Sequence, residues 1–264
     1  FLDLASGMIL FFTMRAITNA NKESFRFPVG KNRLEPLGVM LFAVTMGISM
    51  LMLAREALDS LIDGFSGEPS TPEFGVSVIV VVVATIVIKA AMHIYCKMVA
   101  ERTKSVAVDT YADDHRNDVL TNAAGMAGGL VAASMSSMWW FDPAVALALA
   151  IFVAANWLSS AHEQLWLLVG VTASPETLNK LTLMAHNHDP RIVKVDTVRA
   201  YHCGAKLLAE VHIVMRPETP LHVAHDVGEA LEKDIEEYFV DIIERAFVHI
   251  DYEWNHMPRD EHCT

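Results

Sequence analysis

The sequence predicts an α-helical membrane bundle followed by a smaller α+β domain facing water, and three observations carry that prediction. Long apolar runs fill the chain up to about residue 170 and then stop. The loops between those runs alternate between basic and non-basic. From Thr172 onward the chain holds nine Lys/Arg against seventeen Asp/Glu, a net charge of -8, and nine of the twelve histidines. The division implied is a membrane domain over 1–170 and a soluble domain over 171–264. Across all 264 residues the chain is 53% hydrophobic with a formal net charge of -12.

That acidity argues against nucleic acid as a partner, because phosphate binding requires a basic stripe. Cys96, Cys203 and Cys263 are far apart and form no CxxC, so neither a disulfide framework nor a cysteine zinc site is expected. The chain begins at Phe1 inside an apolar run and shows no signal-peptide pattern, which predicts a fragment whose true N-terminus lies upstream.

The membrane elements follow in order. Phe1 to Thr13 is a short apolar run, too short to cross a bilayer as it stands. Leu37 to Leu53, Phe74 to Ile94, Val119 to Met138 and Trp140 to Leu158 each approach the roughly 20 apolar residues of a span once their flanks are counted. The loop after the first run carries Arg15, Lys22, Arg26, Lys31 and Arg33. The next, from Glu56 to Glu73, has Asp59, Asp63 and Glu68 and no Lys or Arg. The third carries Lys97, Arg102 and Lys104, and the fourth, around Ser137 to Asp142, has no basic residue. This positive-inside alternation places the C-terminal half in the cytosol, with Trp139 and Trp140 at the opposite interface. Lys89, in the cytosolic half of its run, is expected to snorkel to the headgroups. Arg33 and Glu35 either anchor a basic loop or pair to gate the cytosolic entrance.

Charge is least expected in the stretch from Val108 to Gly129. Asp114 and Asp118 are four apart and share one helix face, which Thr121, Asn122, Gly125 and Gly129 continue. Two readings are open. The acids form a solvated entry turn, or they mark an ion path, the usual role of carboxylates inside a membrane helix. Asp3 lies in FLDLASGMILFF, a second acid in an otherwise apolar segment. Two acid-bearing helices could cage one cation, and oxygen ligands suit Mg, Ca or Mn better than Zn. His115 stands one helical step, about 100°, from Asp114 and is expected to turn away from the acidic face.

The late half reads αββαβ. Ser174-Pro175-Glu176 starts a helix, with Ser as cap and Pro at the first position. Ile192 to His202 and Ala205 to Arg216 form two strands around a Cys203-Gly204 turn. Leu221 to Phe239 is an amphipathic helix with Val223, Val227, Leu231 and Ile235 on one stripe, and Arg245 to Trp254 is a final strand. This order makes an α+β sandwich with its helices on one face. Its polar residues, Glu210 and His212, His222 and His225, and His249, Asp251 and Glu253, are either an exposed acidic surface or, through His212, His225, His249 and Asp251, a cytosolic metal site.

Four segments, FLDLASGMILFF, FRFPVGKNRLEPLG, DDHRNDVLTN and AHDVGEALEKDIEEYF…ERAFVHIDYEWNH, resemble the cation diffusion facilitator family, most closely its manganese branch. The resemblance covers nearly the whole chain. It implies a homodimer with six membrane helices per subunit and a copper-chaperone-like, ferredoxin-like cytosolic domain. This chain would hold part of helix two and helices three to six. It also implies metal/proton antiport out of the cytosol to a lumen or the exterior, with protons as counter-ion, by a protein of a eukaryotic endomembrane (Golgi, vacuole or similar) or of the plasma membrane. The family's DxxxD pairs on helices two and five map onto Asp3, whose partner would lie before Phe1, and onto Asp114 and Asp118. Zinc-type relatives carry His at the position of Asp114, so the carboxylate there favours Mn2+, with Fe2+ or Zn2+ as competitors. The ion is cargo, and no prosthetic group is implied. An alternative of another class is a membrane-tethered metal sensor. No nucleophile–base pair or cofactor loop points to an enzyme.

Overall fold

The structure, a computed structural model, describes residues 7–9, 11–13, 15, 31–67, 75–134 and 138–252. Asp3, Glu253 and Cys263 lie outside the described residues. The chain divides into two compact units, Phe1–Leu165 and Trp166–Thr264.

The first unit is helical. Residues 7–9 and 11–13 are helical and precede four long helices: α1 (Leu34–Phe65), α2 (Val76–Thr103), α3 (Val106–Ser134) and α4 (Phe141–Val169). Of the described helices, α1, α2 and α4 are long and apolar enough to cross a membrane, and α3 is not among them. Of the expected span from Val119 to Met138, residues 119–134 form the second half of α3, whose first half is polar.

The helices also outrun the apolar segments. α1 continues to Phe65, through most of the expected acidic loop, because AREALDSLI lacks Gly and Pro and Arg55 pairs with Asp59 one turn on at 3.7 Å. α2 likewise runs through Lys97 and Arg102.

α1, α3 and α4 share one core: Val39, Phe42, Ala43 and Met46 of α1 meet Ala107 and Tyr111 of α3 and Val153, Trp157 and Ala161 of α4. Small residues permit the close approach. A Cβ on Gly128 would stand 2.9 Å from Asp142 Oδ1, and one on Gly64 would run into the Trp139 ring. α2 exposes Val80, Val81, Val87, Ile88 and Ile94, as a lipid-facing helix should, and turns Cys96 and Ala100 inward. Glu35, which one of the two sequence readings paired with Arg33, accepts hydrogen bonds from Ser105 Oγ at 3.2 Å and Ala107 N at 3.4 Å, capping the start of α3 from α1.

The second unit is the expected sandwich. α5 (Pro175–His188) starts at Ser174, whose Oγ accepts from Thr177 N at 3.3 Å. β1 (Lys194–Cys203) and β2 (Lys206–Val214) pair antiparallel around Gly204, which adopts φ +84, a conformation open to glycine without strain. α6 (Leu221–Tyr238) then crosses over to β3 (Ile243–Asp251), which pairs parallel with β2, giving the sheet order β1-β2-β3. Alternate residues of β2, Leu207, Ala209, Val211 and Ile213, meet Leu181 and Ala185 of α5 and Ala224, Val227, Leu231 and Ile235 of α6. Both sheet edges are covered. Residues 171–173 run beside β1 through Ala173 N to Ala200 O at 2.8 Å and His202 N to Val171 O at 2.9 Å. Along β3, Glu236 and Glu232 of α6 accept from Ala246 N and Val248 N at 3.0 and 2.9 Å.

Candidate metal centre

The polar half of α3 is positioned by α2. The chain reverses at Lys104 and Ser105, so α2 and α3 lie antiparallel, and three α2 residues spaced one turn apart face α3. Lys97 Nζ meets Asp109 Oδ1 at 2.5 Å, His93 Nδ1 meets Ala112 O at 2.8 Å, and Lys89 Nζ donates to Asp118 Oδ2 at 2.6 Å. The spacing of 89, 93 and 97 puts all three on one helix face.

Asp114 and Asp118 fall within this polar seam. Asp114 is 4% exposed and His115 1%, while the Asp118 side chain is 26% exposed. One ligand atom from each of Asp114, His115 and Asp118 lies within 4.8 Å of the others, and among the described residues this is the group of three or more acidic, His or Cys side chains so arranged. The local sequence builds the cluster. Residues four apart stack on one face, and His115 stands three before Asp118, equally a neighbour on the helix surface. The expectation that His115 turns away is therefore corrected: its 100° step from Asp114 was weighed without its i,i+3 relation to Asp118. The His115 ring is held against Tyr111 with centroids 4.4 Å apart. Thr121 and Asn122, expected to extend the polar face, bond back to their own helix, at Asn117 O (3.0 Å) and Asp118 O (2.7 Å).

Lys89 is the second correction. Its side chain is 12% exposed and points to Asp118, not to the headgroups. An ammonium able to reach a carboxylate inside an apolar bundle gains more from that pair than a partly buried stem gains by snorkelling. The signal was present in the sequence as a lysine within the Val/Ile-rich run of its helix. Its partner, 29 residues away, was not.

Of the cytosolic residues, His212 stands beside His249 across the strands, and His225, His249 and Asp251 share a groove. His212 and His249 sit opposite one another in the β2–β3 register, ring centroids 5.0 Å apart, on the face of the sheet away from the helices. His225 belongs to α6, on the other side. It lines a groove of about 400 Å³ with His249 and Asp251 at the end of β3. Among the described residues, no three of His212, His225, His249 and Asp251 bring ligand atoms within 4.8 Å of one another.

Comparison with known proteins follows the same two-part division. Residues 1–169 match the family described as "Cation efflux transmembrane domain", and residues 173–253 match "Cation efflux protein, cytoplasmic domain". "Metal tolerance protein 5" of Oryza sativa subsp. japonica is 39% identical over 257 residues, covering 97% of this chain and 60% of the rice protein. "Metal tolerance protein 3" of the same plant is 36% identical with the same coverage. "Metal tolerance protein 11" of Arabidopsis thaliana is 36% identical over 264 residues, 99% of this chain and 64% of its own length. The chain thus spans about 60% of the curated relatives it matches. A solved C-terminal domain of MamM is 23% identical, covering 30% of this chain and 96% of that one with a TM-score of 0.28. With apolar helices, an acid-bearing helix among them, an αββαβ domain behind them and both family descriptions matched in order, the chain belongs to the cation efflux family, the cation diffusion facilitators, as a membrane-spanning domain with a cytoplasmic C-terminal domain.

Proposed function

We propose that the protein exports a divalent metal cation from the cytosol in exchange for protons, with Mn2+ as favoured cargo and Fe2+ and Zn2+ as competitors, through a site formed by Asp3, Asp114 and Asp118. The observation that carries this reading is the convergence of two carboxylates and an imidazole on a polar helix flanked by lipid-exposed apolar ones. Like charges held close in a low-dielectric site repel one another. Protons or one divalent cation relieve that repulsion equally well, so the site exchanges one for the other. His115 adds a nitrogen donor to the carboxylate oxygens, and a mixed oxygen–nitrogen set suits Mn2+ and Fe2+.

Asp3 enters through its neighbours. Gly7 approaches α3 closely enough that a Cβ there would stand 3.5 Å from Tyr111 Oη. Asp3 precedes Gly7 by four residues, and Asp114 and His115 follow Tyr111 by three and four. Asp3 itself lies outside the described residues, and its place in the site rests on the resemblance of its segment to the acid-bearing second helix of the family.

The same reading takes the cytosolic domain as the contact between two copies in a homodimer. It places the protein in an endomembrane or the plasma membrane of a eukaryotic cell, in keeping with its plant relatives.

The test is uptake of Mn2+ into proteoliposomes holding the full-length protein, driven by an opposing pH gradient. Uptake should follow the gradient in the wild type and fall at least a hundredfold in Asp118→Asn, which keeps size and hydrogen bonding but removes the charge. Uptake that ignores the gradient would refute proton exchange. Full uptake by Asp118→Asn would refute the site.

A further inference from the structure

We propose that Lys89 is a tethered counter-cation that holds Asp118 until a divalent ion displaces it, and that this exchange restricts the site to divalent cargo. The inference rests on the transport-site reading above and adds the residue that sets its selectivity. The geometry is direct. Lys89 Nζ donates to Asp118 Oδ2 at 2.6 Å, a short charge-assisted bond. Asp118 is also one corner of the three-residue cluster with Asp114 and His115. The ammonium therefore stands at the edge of the metal centre, on an oxygen that a metal would use.

Two features separate this role from structural support. α2 and α3 are already joined by the His93–Ala112 hydrogen bond and the Lys97–Asp109 pair, one and two turns away, so Lys89 is not required to hold the helices together. The Asp109–Lys97 pair is about half exposed, whereas Lys89 is largely buried at the level of the cluster. A lysine at the entrance could meet water, but one at the cluster competes with the cargo.

The consequence follows from charge. Asp3, Asp114 and Asp118 of the proposed site, set against one ammonium, leave two net negative charges when His115 is neutral. A monovalent cation that pushed the ammonium aside would replace one positive charge by another and gain nothing. A divalent ion brings a second positive charge, so it alone gains by the exchange. Two cations cannot share one carboxylate oxygen without repulsion, so metal entry moves Lys89 off Asp118. Its return assists release. Lys89 thus weakens equilibrium binding and speeds departure, the combination a transport site needs.

The test uses the full-length protein and Mn2+. Lys89→Met should bind Mn2+ at least tenfold more tightly than wild type and show a lower KM for transport together with a lower kcat. Its Mn2+ binding should become sensitive to K+ at constant ionic strength, with N-methylglucamine as the replacement cation, whereas wild-type binding should not. Lys89→Arg, which keeps the charge, should stay within threefold of wild type and remain insensitive to K+. If Lys89→Met binds Mn2+ no more tightly than wild type, or its KM rises, Lys89 only supports the fold and the proposal is overturned. A second measurement covers failure of the Met variant to fold: amine methylation of Lys89 in the wild type, read by mass spectrometry, should rise when Mn2+ is bound, and no rise overturns the proposal as well. Asp118→Asn separates the two levels. If wild type binds Mn2+ and Asp118→Asn binds it equally well, the site itself is wrong. If Asp118→Asn loses binding but Lys89→Met gains none, only the counter-cation role is wrong.

Discussion

Shortening Phe42 to alanine tests whether the metal centre is braced from behind. Phe42 is fully buried in α1, and its ring meets Trp157 of α4 edge-on at 5.3 Å and Tyr111 of α3 at 6.4 Å. Tyr111 in turn lies 4.4 Å from the ring of His115. The aromatic stack therefore runs from α4 through α1 to α3 and ends on a member of the cluster. Phe42→Ala removes two edge-on contacts worth about 0.5–1.5 kcal/mol each. It also leaves a void, and buried Phe→Ala changes cost about 3–5 kcal/mol in water-soluble proteins. Lipid tails are as apolar as the lost ring, so the transfer part of that cost shrinks and roughly 2–3 kcal/mol remains. With Tyr111 unsupported, His115 has more than one resting position, and Mn2+ affinity should fall about tenfold, or 1.4 kcal/mol. Phe42→Leu fills most of the space and should lose less than threefold. Thermal melting of the solubilised protein followed by tryptophan fluorescence reads the first effect, and Mn2+ titration calorimetry reads the second. A lowered melting temperature with unchanged Mn2+ affinity would show that the stack braces the bundle but not the site. No change in either would refute the packing argument altogether.

Two further predictions concern the cytosolic domain. Burial pushes the His202 imidazole below its ordinary range, against a smaller upward pull from its hydrogen bond to the Gly204 backbone. A depressed folded value means the unfolded chain binds the proton first. The stabilising contribution is thus complete above about pH 6.5 and is lost as pH falls from there toward the folded value, with a slope of at most about 1.4 kcal/mol per pH unit. Urea unfolding between pH 7.5 and 5.5 should show this slope, and His202→Gln should flatten it; an unchanged slope would clear His202. Leu231 is 0% exposed between α6 and the sheet, so Leu231→Ala should lower the domain's unfolding free energy by about 2–5 kcal/mol. A loss below about 1 kcal/mol would mean that α6 is not packed as described.

The cytosolic domain was legible almost residue by residue, because each element buries one face and exposes the other. Ser174 and Pro175 fix the start of α5, Gly204 fixes the hairpin, and Val227, Leu231 and Ile235 mark the buried stripe of α6. The membrane helices were legible only at their centres. Hydropathy reports the part of a helix that lipid touches, while Arg55–Asp59 and Lys97–Asp109 stabilise the same helices where polar side chains are welcome. The acids of the proposed site stood out by the four-residue spacing of Asp114 and Asp118, and the structure brings them together with His115. Lys89 was visible as an anomaly but was assigned to the headgroups, because nothing local points across to α3. The cytosolic quartet was legible as ligand chemistry: His225, His249 and Asp251 share one groove and His212 stands beside His249, while among the described residues no three of the four bring ligand atoms within 4.8 Å of one another.

The place of α3 in a bilayer is the step that joins fold to function. Taken alone it is the least apolar of the four long helices, and its first half carries Asp109, Asp113, Asp114, Arg116 and Asp118. Isolated charges of this kind are costly in hydrocarbon. α2 resolves the conflict with two different surfaces: valine and isoleucine toward lipid, and Lys89, His93 and Lys97 toward α3. α1 and α4 close the other side through Phe42, Val153 and Trp157. α3 is therefore tolerable in a bilayer beside α2 rather than alone, and the proposed metal centre depends on one helix being polar when its neighbour is not. The cations that make α3 tolerable are graded along that pair. Lys97, half exposed, neutralises an acid near the water, while Lys89, buried, neutralises one that a metal can claim. Stability of the polar helix and competition for its carboxylate come from the same side chain, so the site is least costly when a cation, tethered or transported, is always present.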